Sequence, residues 1–347
     1  MTARKLLIAI SCCFAALATF AAEPTYLHFD GKTGPGKGKH IVFIAGDEEY
    51  RSEESLPMLA KILSQRHGFD CTVLFSLDST GTYIDPNNQK SITNPQAIAK
   101  ADLIIIQTRF RQWTPEEYQY LADYLNAGKP IIGLRTATHA FTGGGKTGDF
   151  KWDDFGLKIL GEKWVNHHGG HKVQGTRGVI EPANANHPIL NGVKDVFALS
   201  DVYTVANLDE KAAKVLMRGA VTATLDPDSK PIDGPKNNPM MPVAWVREYT
   251  APNGTTKGKS FCTTMAASVD LKNEDMRRMI VNAAYFLSGL NVPAKADVTY
   301  VDPYEPTMYG FNNAPDFYKN RNLKVGDLVL GKSAFTGAGG RQDKSRK

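Results

Sequence analysis

The residues best suited to chemistry follow a short apolar run near the middle of the chain. The run 131–134 is Ile-Ile-Gly-Leu, and Gly128 and Pro130 introduce it. Four polar residues come soon after it: Arg135, Thr136, Thr138 and His139. Such a run is too short for a helix and is typical of a buried strand. Because ligands bind beyond the carboxyl ends of strands in open α/β sheets, these side chains mark a candidate site.

A second candidate group of polar residues follows another short apolar run, nearer the N-terminus. The run 41–45 predicts a buried strand, and Gly46 leads from it into Asp47, Glu48, Glu49 and Tyr50. If 41–45 and 131–134 are inner strands of one parallel sheet, the loops after them emerge at the same edge. A histidine beside a carboxylate suits proton transfer near neutral pH. We therefore expect Asp47, Glu48, Arg135 and His139 to converge on one pocket at this edge, together with Asn166 and His168 from further along the chain.

A histidine-rich segment is the third candidate. Asn166 precedes His167, His168 and His171, and glycines 169 and 170 give this segment the freedom to fold back over the same edge. Imidazole nitrogens and carboxylate oxygens bind zinc, and catalytic zinc sites commonly have three protein ligands. The predicted metal ligands are His139, His167 and His168, holding a zinc-like divalent ion. The spacing matches no specific zinc signature, and the alternative is that these imidazoles bond loop backbone.

Alternating strands and helices would position these groups. Further strands are predicted at 71–75 and 103–107, and Ser52 is predicted to cap the helix that follows it. Thr114, Pro115 and Glu117 form a capping box with proline in the first turn, which predicts a helix to about Ala127. Nearly continuous aliphatic strands suit a parallel sheet covered on both faces. The predicted fold is α/β, a doubly wound, mostly parallel, flavodoxin-like three-layer sandwich with β-rich and loop insertions.

The second half of the chain predicts those insertions. β-like segments lie at 179–181, 202–205 and 243–249, a buried strand is predicted at 260–264, and Asn273 caps a helix to about Leu287. Residues 39–290 form the predicted main domain. Residues 291–331, with four prolines, are predicted to wrap over its surface, and the Lys- and Gly-rich tail 332–347 is predicted to be disordered.

The N-terminus has the pattern of a secretory signal peptide. Arg4 and Lys5 precede the apolar segment 6–20, and Ala21 and Ala22 supply small residues for cleavage. Residues 1–22 therefore predict a secreted or periplasmic protein, with no membrane anchor because the apolar segment is shorter than a membrane span. Only Cys71 and Cys262 would remain, too few for a disulfide framework in a chain of this size.

Charge and loop patterns argue against two classes of partner. The formal net charge is +5, but the tail 332–347 carries five cations and one anion, so the rest is close to neutral. A near-neutral body argues against nucleic-acid binding. The segment 140–147 has a relaxed phosphate-loop pattern, yet no convincing helix follows it, as phosphate binding requires. No nucleotide is expected.

Several segments together resemble the ThuA (trehalose utilisation) family. They are 46–50 (GDEEY), 133–141 (GLRTATHAF), 166–169 (NHHG), 263–265 (TTM) and 281–285 (VNAAY). The resemblance covers about residues 39–290. It implies the fold of class I glutamine amidotransferase-like proteins, and a role in using trehalose-like disaccharides or oxidised (keto) sugars.

The sequence departs from true glutamine amidotransferases at both catalytic positions. Arg135 stands where those enzymes place a cysteine nucleophile, and 263–265 contains no histidine to act as its base. A Cys–His couple needs an exposed thiol and a base within hydrogen-bond reach. We therefore expect no glutamine hydrolysis.

Two functional hypotheses follow from these residues and the resemblance. The first is an exported carbohydrate-processing enzyme, a hydrolase, lyase or isomerase, whose only predicted partner is a small-molecule carbohydrate. His139, Asp47 and Glu48 would be catalytic, and a second set would bind the sugar: Arg135, Thr136, Asn166 and Tyr50. The second hypothesis is a non-catalytic carbohydrate-binding or scaffold protein, since fold alone does not give function.

Overall fold

The computed structural model describes residues 23–311 and 316–334. The predicted signal peptide and most of the basic tail lie outside these residues. The described chain is built on a ten-stranded mixed sheet, with a separate two-stranded hairpin. The strands are β1 (Leu27–Phe29), β2 (His40–Gly46), β3 (Asp70–Leu74), β4 (Leu103–Thr108), β5 (Ile131–Leu134), β6 (Lys146–Thr147), β7 (Phe150–Lys151), β8 (Thr176–Ile180), β9 (Phe197–Ala198), β10 (Lys214–Val221), β11 (Met241–Thr250) and β12 (Lys257–Thr263).

One half of the large sheet is parallel. Its strands run in the order β3, β2, β4, β5, β12, and β1 adds an antiparallel edge to β3. β2 and β5 are both inner strands, as predicted, so the loops after them leave at one edge of the sheet. The predicted α/β class with a mostly parallel core is confirmed.

The other half of the sheet is antiparallel and continues from β12 through β11, β10, β8 and β9. These strands are the β-rich insertion expected from the sequence. The segment 202–205, predicted to be β-like, is not a regular strand. It contributes an isolated bridge in which Tyr203 pairs with His167, and this bridge ties the histidine-rich segment to the main body.

Four α-helices occur in the described residues: α1 (Ser52–His67), α2 (Pro115–Asn126), α3 (Glu274–Leu287) and α4 (Phe317–Arg321). The sheet lies between them. In β2, Ile41 and Phe43 pack in the cluster that includes α1 and α3, whereas Val42 and Ile44 pack in the cluster that includes α2. Strict alternation with every residue buried is what a sheet covered on both faces requires. None of these helices is long and apolar enough to cross a membrane.

Local capping signals predicted two helix starts correctly and one incorrectly. Thr114 and Glu117 form the expected capping box, and the Asn273 side chain accepts from the Met276 amide. Ser52, however, lies inside α1, and its hydroxyl accepts bonds from the amides of Gly46 and Asp47. The residue at the cap position is Arg51, with φ 60°. Ser52 therefore fixes the turn after β2, which shapes the candidate site.

The C-terminal segment packs on α1 through buried charges. Arg321 pairs with Glu53 and Glu54 at 3.0 and 2.6 Å. Both Glu54 oxygens also accept bonds from Thr307, whereas one Glu53 oxygen has no partner in the described structure. Burial raises the pKa of Glu53 to about 7, the charge of Glu54 adds to the rise, and Arg321 offsets part of it.

The Glu53 carboxyl should make stability depend on pH. Its folded-state pKa of about 7 exceeds its ordinary value of 4.5, so its contribution is fully present below 4.5 and is lost as pH rises through 7. When the pH rises from 5 to 8, the unfolding free energy of Glu53→Gln should increase by roughly 1–3 kcal/mol relative to that of the wild type. Urea unfolding at both pH values measures this. Glu54→Gln is the control and should be destabilised at both pH values. If the unfolding free energies of the wild type and Glu53→Gln change with pH in parallel, the raised pKa of Glu53 is wrong.

Candidate functional site

A cavity of about 380 Å³ opens at the carboxyl edge of the parallel strands. The loops after β2, β4 and β5 contribute to it, and so do the histidine-rich segment and the C-terminal segment. Its lining residues are Glu49, Arg109, Phe110, His139, Trp164, His167, His171, Lys172, Tyr203 and Phe311. Four aromatic side chains, three imidazoles, one carboxylate and two cations therefore face one cavity.

Arg135 lies behind this cavity and is completely buried. Its guanidinium donates to the carbonyls of Asp201 and Thr264, at 2.7 and 2.5 Å, and to the Tyr50 hydroxyl at 3.1 Å. It also lies 3.6 Å from the centroid of the Tyr203 ring, a cation–π contact. Arg135 has φ 41°, an uncommon left-handed conformation for a residue other than glycine. The turn after β5 thus sends its first side chain inward, where it supports the cavity wall.

Asp201 is the ionic partner of Arg135, and sequence reasoning did not select it. One carboxylate oxygen accepts from Arg135 and from His171 Nδ1, both at 3.1 Å, and the other accepts from His167 Nδ1 at 2.7 Å. Burial raises the pKa of Asp201, but Arg135 and the two imidazoles outweigh it and hold the pKa well below its usual range. Asp201 is therefore a buried carboxylate that orients two cavity imidazoles.

Glu49 is the carboxylate that faces the cavity. One of its oxygens lies 3.5 Å from His171 Nε2, and the other lies 3.6 Å from Arg109 Nε. Burial and the charge of Asp47 raise the pKa of Glu49 to about 7, with Arg109 among the groups that offset the rise. The three consecutive acids after β2 thus have different surroundings, and Glu49 is the one that lines the cavity.

Asp47 and Glu48, the predicted catalytic acids, have other partners and do not line the cavity. Asp47 accepts from the amides of Glu49 and Tyr50, and its second oxygen accepts from Thr136 at 2.6 Å. Glu48 forms ion pairs with Arg109 and Arg111. Asp47 therefore shapes the loop that presents Glu49, and Glu48 belongs to a buried charge network beneath it.

His139 reaches the cavity, as the sequence predicts. It packs against Phe110 and Trp164, with ring centroids 5.0 and 5.3 Å away. Burial lowers the pKa of His139 well below its usual value, and Arg109 and Arg135 lower it further. Its Nδ1 lies 3.3 Å from the Thr138 hydroxyl, and the described residues provide no hydrogen-bond partner for Nε2. The ring is thus neutral, with one nitrogen available to a ligand.

The remaining predicted residues are not among those that line the cavity. His168 donates through Nε2 to the Lys236 carbonyl at 2.8 Å, and Asn166 accepts from Thr204. Thr136 is committed to Asp47, and Tyr50 stacks on Tyr309 at 5.1 Å. These residues are close in sequence to cavity residues, but their side chains contact other parts of the protein.

One group of three potential metal ligands in the described structure has its ligand atoms within 4.8 Å of one another: His167, His171 and Asp201. Only His167 belongs to the predicted metal set of His139, His167 and His168. The consecutive histidines 167 and 168 face different ways: His167 bonds Asp201, whereas His168 bonds the Lys236 carbonyl. His171 returns to the same side as His167, with ring centroids 4.4 Å apart.

Comparison with known proteins gives the family. The family model described as trehalose utilisation (ThuA) matches residues 40–287. The chain belongs to the ThuA family. A comparison with curated proteins gave no match.

Solved structures that are similar to this ThuA family protein include two ThuA-like proteins. A ThuA-like protein from Parabacteroides merdae ATCC 43184 has 14% identity and a TM-score of 0.50, over 80% of this chain and 98% of that one. A ThuA-like protein from Bacteroides uniformis ATCC 8492 has 14% identity and a TM-score of 0.44, over 74% and 94%. At such identity the likeness to the first concerns the fold alone.

Thiol chemistry should not contribute to the activity of this ThuA family protein. Cys71 and Cys262 are buried in β3 and β12, and burial raises the pKa of both thiols. The double variant Cys71→Ser with Cys262→Ser should keep its ligand binding and any turnover. Alkylation of the native wild type should likewise have no effect. Loss of function in a double variant that still unfolds cooperatively would contradict this expectation.

Proposed function

We propose that this ThuA family protein is a carbohydrate-processing enzyme acting on a disaccharide, a glycoside or a keto sugar in the cavity at the carboxyl edge of the sheet. The observation that carries the proposal is the composition of the cavity wall. Aromatic rings provide apolar surfaces that can stack on the C–H faces of a sugar ring, and imidazoles and a carboxylate provide hydrogen bonds and proton transfer.

The size of the cavity supports a small ligand. A volume of about 380 Å³ lies within the usual range for small-molecule sites, about 300–1,000 Å³. Trp164, Tyr203, Phe110 and Phe311 form the apolar surface. Phe311 is 49% exposed although it is a large apolar side chain, and Arg109 lies 4.7 Å from its ring centroid. Phe311 therefore stands at the rim, where it can contact the outer part of a ligand.

His139 is the proposed acid/base residue. A neutral imidazole whose Nε2 is not committed to the protein can accept a proton from a sugar hydroxyl or from a carbon next to a ketone. Hydrolases, lyases and isomerases all use such a proton transfer. The reaction type therefore depends on which substrate bond lies next to His139.

Turnover of defined sugars tests the proposal. Purified protein would be incubated with trehalose and with 3-keto-disaccharides, with and without divalent metal, followed by product analysis. Matched variants are His139→Ala and His187→Ala; His187 packs on Phe286 and does not line the cavity. Product formation lost only in His139→Ala supports the enzyme. Absence of product with every substrate, metal and pH tested would overturn it.

The alternative function is carbohydrate binding without turnover, which the same aromatic wall would support. A thermal-shift panel with the same sugars separates the two. Stabilisation that disappears in Trp164→Ala, without product in any reaction, would favour the binding protein.

We also propose that the protein is exported, on the basis of the segment 1–22. Intact-mass measurement of the protein recovered from a periplasmic or culture-medium fraction should show cleavage near Ala21 or Ala22. Recovery of the uncleaved chain from the cytoplasmic or the membrane fraction would contradict export.

A further inference from the structure

We propose that the cavity is a divalent-metal site of the zinc type, in which His167 Nε2, His171 Nε2 and one Glu49 carboxylate oxygen bind the ion and Asp201 positions both imidazoles from behind. Two histidines and a glutamate are a donor set found in catalytic zinc sites, and three protein ligands leave a position open to water or substrate. All three proposed ligands line the cavity, whereas Asp201 does not.

The hydrogen bonds of Asp201 decide which nitrogen of each ring is available. A carboxylate only accepts hydrogen bonds, so the Nδ1 atoms of His167 and His171 must carry the protons that they donate to it. In a neutral ring the lone pair then lies on Nε2. Metal-binding histidines commonly donate their other ring N–H to a carboxylate in this way, which fixes the tautomer and the ring orientation.

Distances separate a ligand role from an orienting role. Two ligands of a tetrahedral zinc ion, each about 2.1 Å from it, lie about 3.4 Å apart. The Glu49 oxygen and His171 Nε2 are 3.5 Å apart, which matches that separation. His167 Nδ1 and the Asp201 oxygen are 2.7 Å apart, a direct hydrogen bond with no room for an ion between them. Glu49 therefore fits as a ligand and Asp201 as the residue that orients the ligands.

The surroundings hold Asp201 and the backbone of Glu49 in place. Asp201 is fully buried and fixed by Arg135, so it cannot turn toward the cavity without breaking that ion pair. The Glu49 amide donates to Asp47, which fixes the backbone of the third ligand. His167 and His171 are 32% and 29% exposed at the side chain, enough for an ion to enter from the cavity.

A metal here would give the cavity a chemistry that its side chains lack. It would polarise a sugar carbonyl or hydroxyl as a Lewis acid, or lower the pKa of a bound water. His139 also lines this cavity and would remain free for proton transfer. The metal site does not depend on the proposed sugar reaction, since metal binding can be measured without any sugar.

Titration of the chelator-treated full chain with zinc chloride alone tests the proposal, with isothermal calorimetry and bound metal per chain as readouts. The wild type should bind about one zinc ion. His171→Ala, His167→Ala and Glu49→Gln should each weaken binding at least tenfold. His168→Ala is the matched control: it removes the neighbouring imidazole, which bonds the Lys236 carbonyl, and should leave the affinity unchanged. Asp201→Asn should weaken binding about 10–100-fold, as loss of an orienting partner does.

Cobalt(II) substitution gives a spectroscopic readout that a merely structural role would not move. The wild-type and His168→Ala proteins should show the visible absorption of a low-coordinate cobalt site, and His171→Ala should not. Melting temperatures establish that each variant is folded. If a histidine variant does not fold, Glu49→Gln replaces it in the test. The proposal is overturned if the wild type binds neither zinc nor cobalt, or if His168→Ala loses as much affinity as His171→Ala. Zinc binding without sugar turnover would uphold the site and reject the proposed reaction.

Discussion

Replacing Arg135 with methionine is expected to destabilise the protein by about 3–5 kcal/mol, because it leaves the buried Asp201 carboxylate without its cationic partner. Methionine fills part of the same volume but cannot donate to Asp201, to Thr264 or to Tyr50. If Arg135 instead bound substrate from an exposed position, the same change would weaken ligand binding and leave stability unchanged. Urea unfolding monitored by tryptophan fluorescence measures the difference.

A matched control and a double variant make this result specific. Arg247→Met removes a half-buried arginine whose guanidinium bonds the Lys158 carbonyl, so no buried carboxylate is stranded and a much smaller loss is expected. Arg135→Met combined with Asp201→Asn should cost less than the sum of the single changes, because the uncompensated charge is removed with its partner. Additive losses would show that the two side chains are not coupled in the way the structure indicates.

Replacing His139 with alanine is expected to lower kcat by about 100–10,000-fold on whichever sugar is turned over, the usual range for loss of a general acid or base. Stability should change little, because one side of the imidazole borders the open cavity and its Nε2 has no partner in the described structure. Steady-state kinetics and thermal unfolding of the same preparation give both quantities.

Phe110→Ala is the matched control for His139, since its ring lies 5.0 Å away on the same wall and carries no ionisable group. It should raise KM and largely preserve kcat. If His139→Ala also preserves kcat, proton transfer belongs to another residue. If it lowers the unfolding free energy by about 1–3 kcal/mol with turnover otherwise intact, His139 is a structural histidine that has lost a buried hydrogen bond.

The regular elements that position the site could be predicted because their signals are local. The strand β5 was predicted with its observed bounds, since Gly128 and Pro130 delimit a short aliphatic run. The capping box at Thr114 and the cap at Asn273 involve residues only three positions apart, so the sequence contains the whole interaction. Ser52 shows the limit: a residue suited to capping bonds the amides of Gly46 and Asp47 when a left-handed Arg51 takes the cap position.

Choosing among neighbouring residues needed the tertiary structure. Asp47, Glu48 and Glu49 are chemically alike and consecutive, and only the turn after β2 decides that Glu49 faces the cavity while the other two face Thr136 and Arg111. His167 and His168 are also alike and consecutive, yet one contacts Asp201 and the other contacts the Lys236 carbonyl. A strand has a period of two and a helix has one of 3.6, but an irregular turn has no period from which a side-chain direction can be inferred.

The sequence by itself determined the inner parallel strands and the edge at which the loops after them meet, and it predicted that His139 lies at that edge. Only the tertiary structure revealed Asp201, which lies 34 residues from His167 and 66 from Arg135 yet bonds both. The sequence separation of these residues does not predict their contact, because the strands and loops between them could have other lengths and still bring them together. Contacts within a few residues are encoded by local propensity and capping. A buried carboxylate shared by three distant side chains exists only once the segment after β9 has packed against the turn after β5 and the histidine-rich segment.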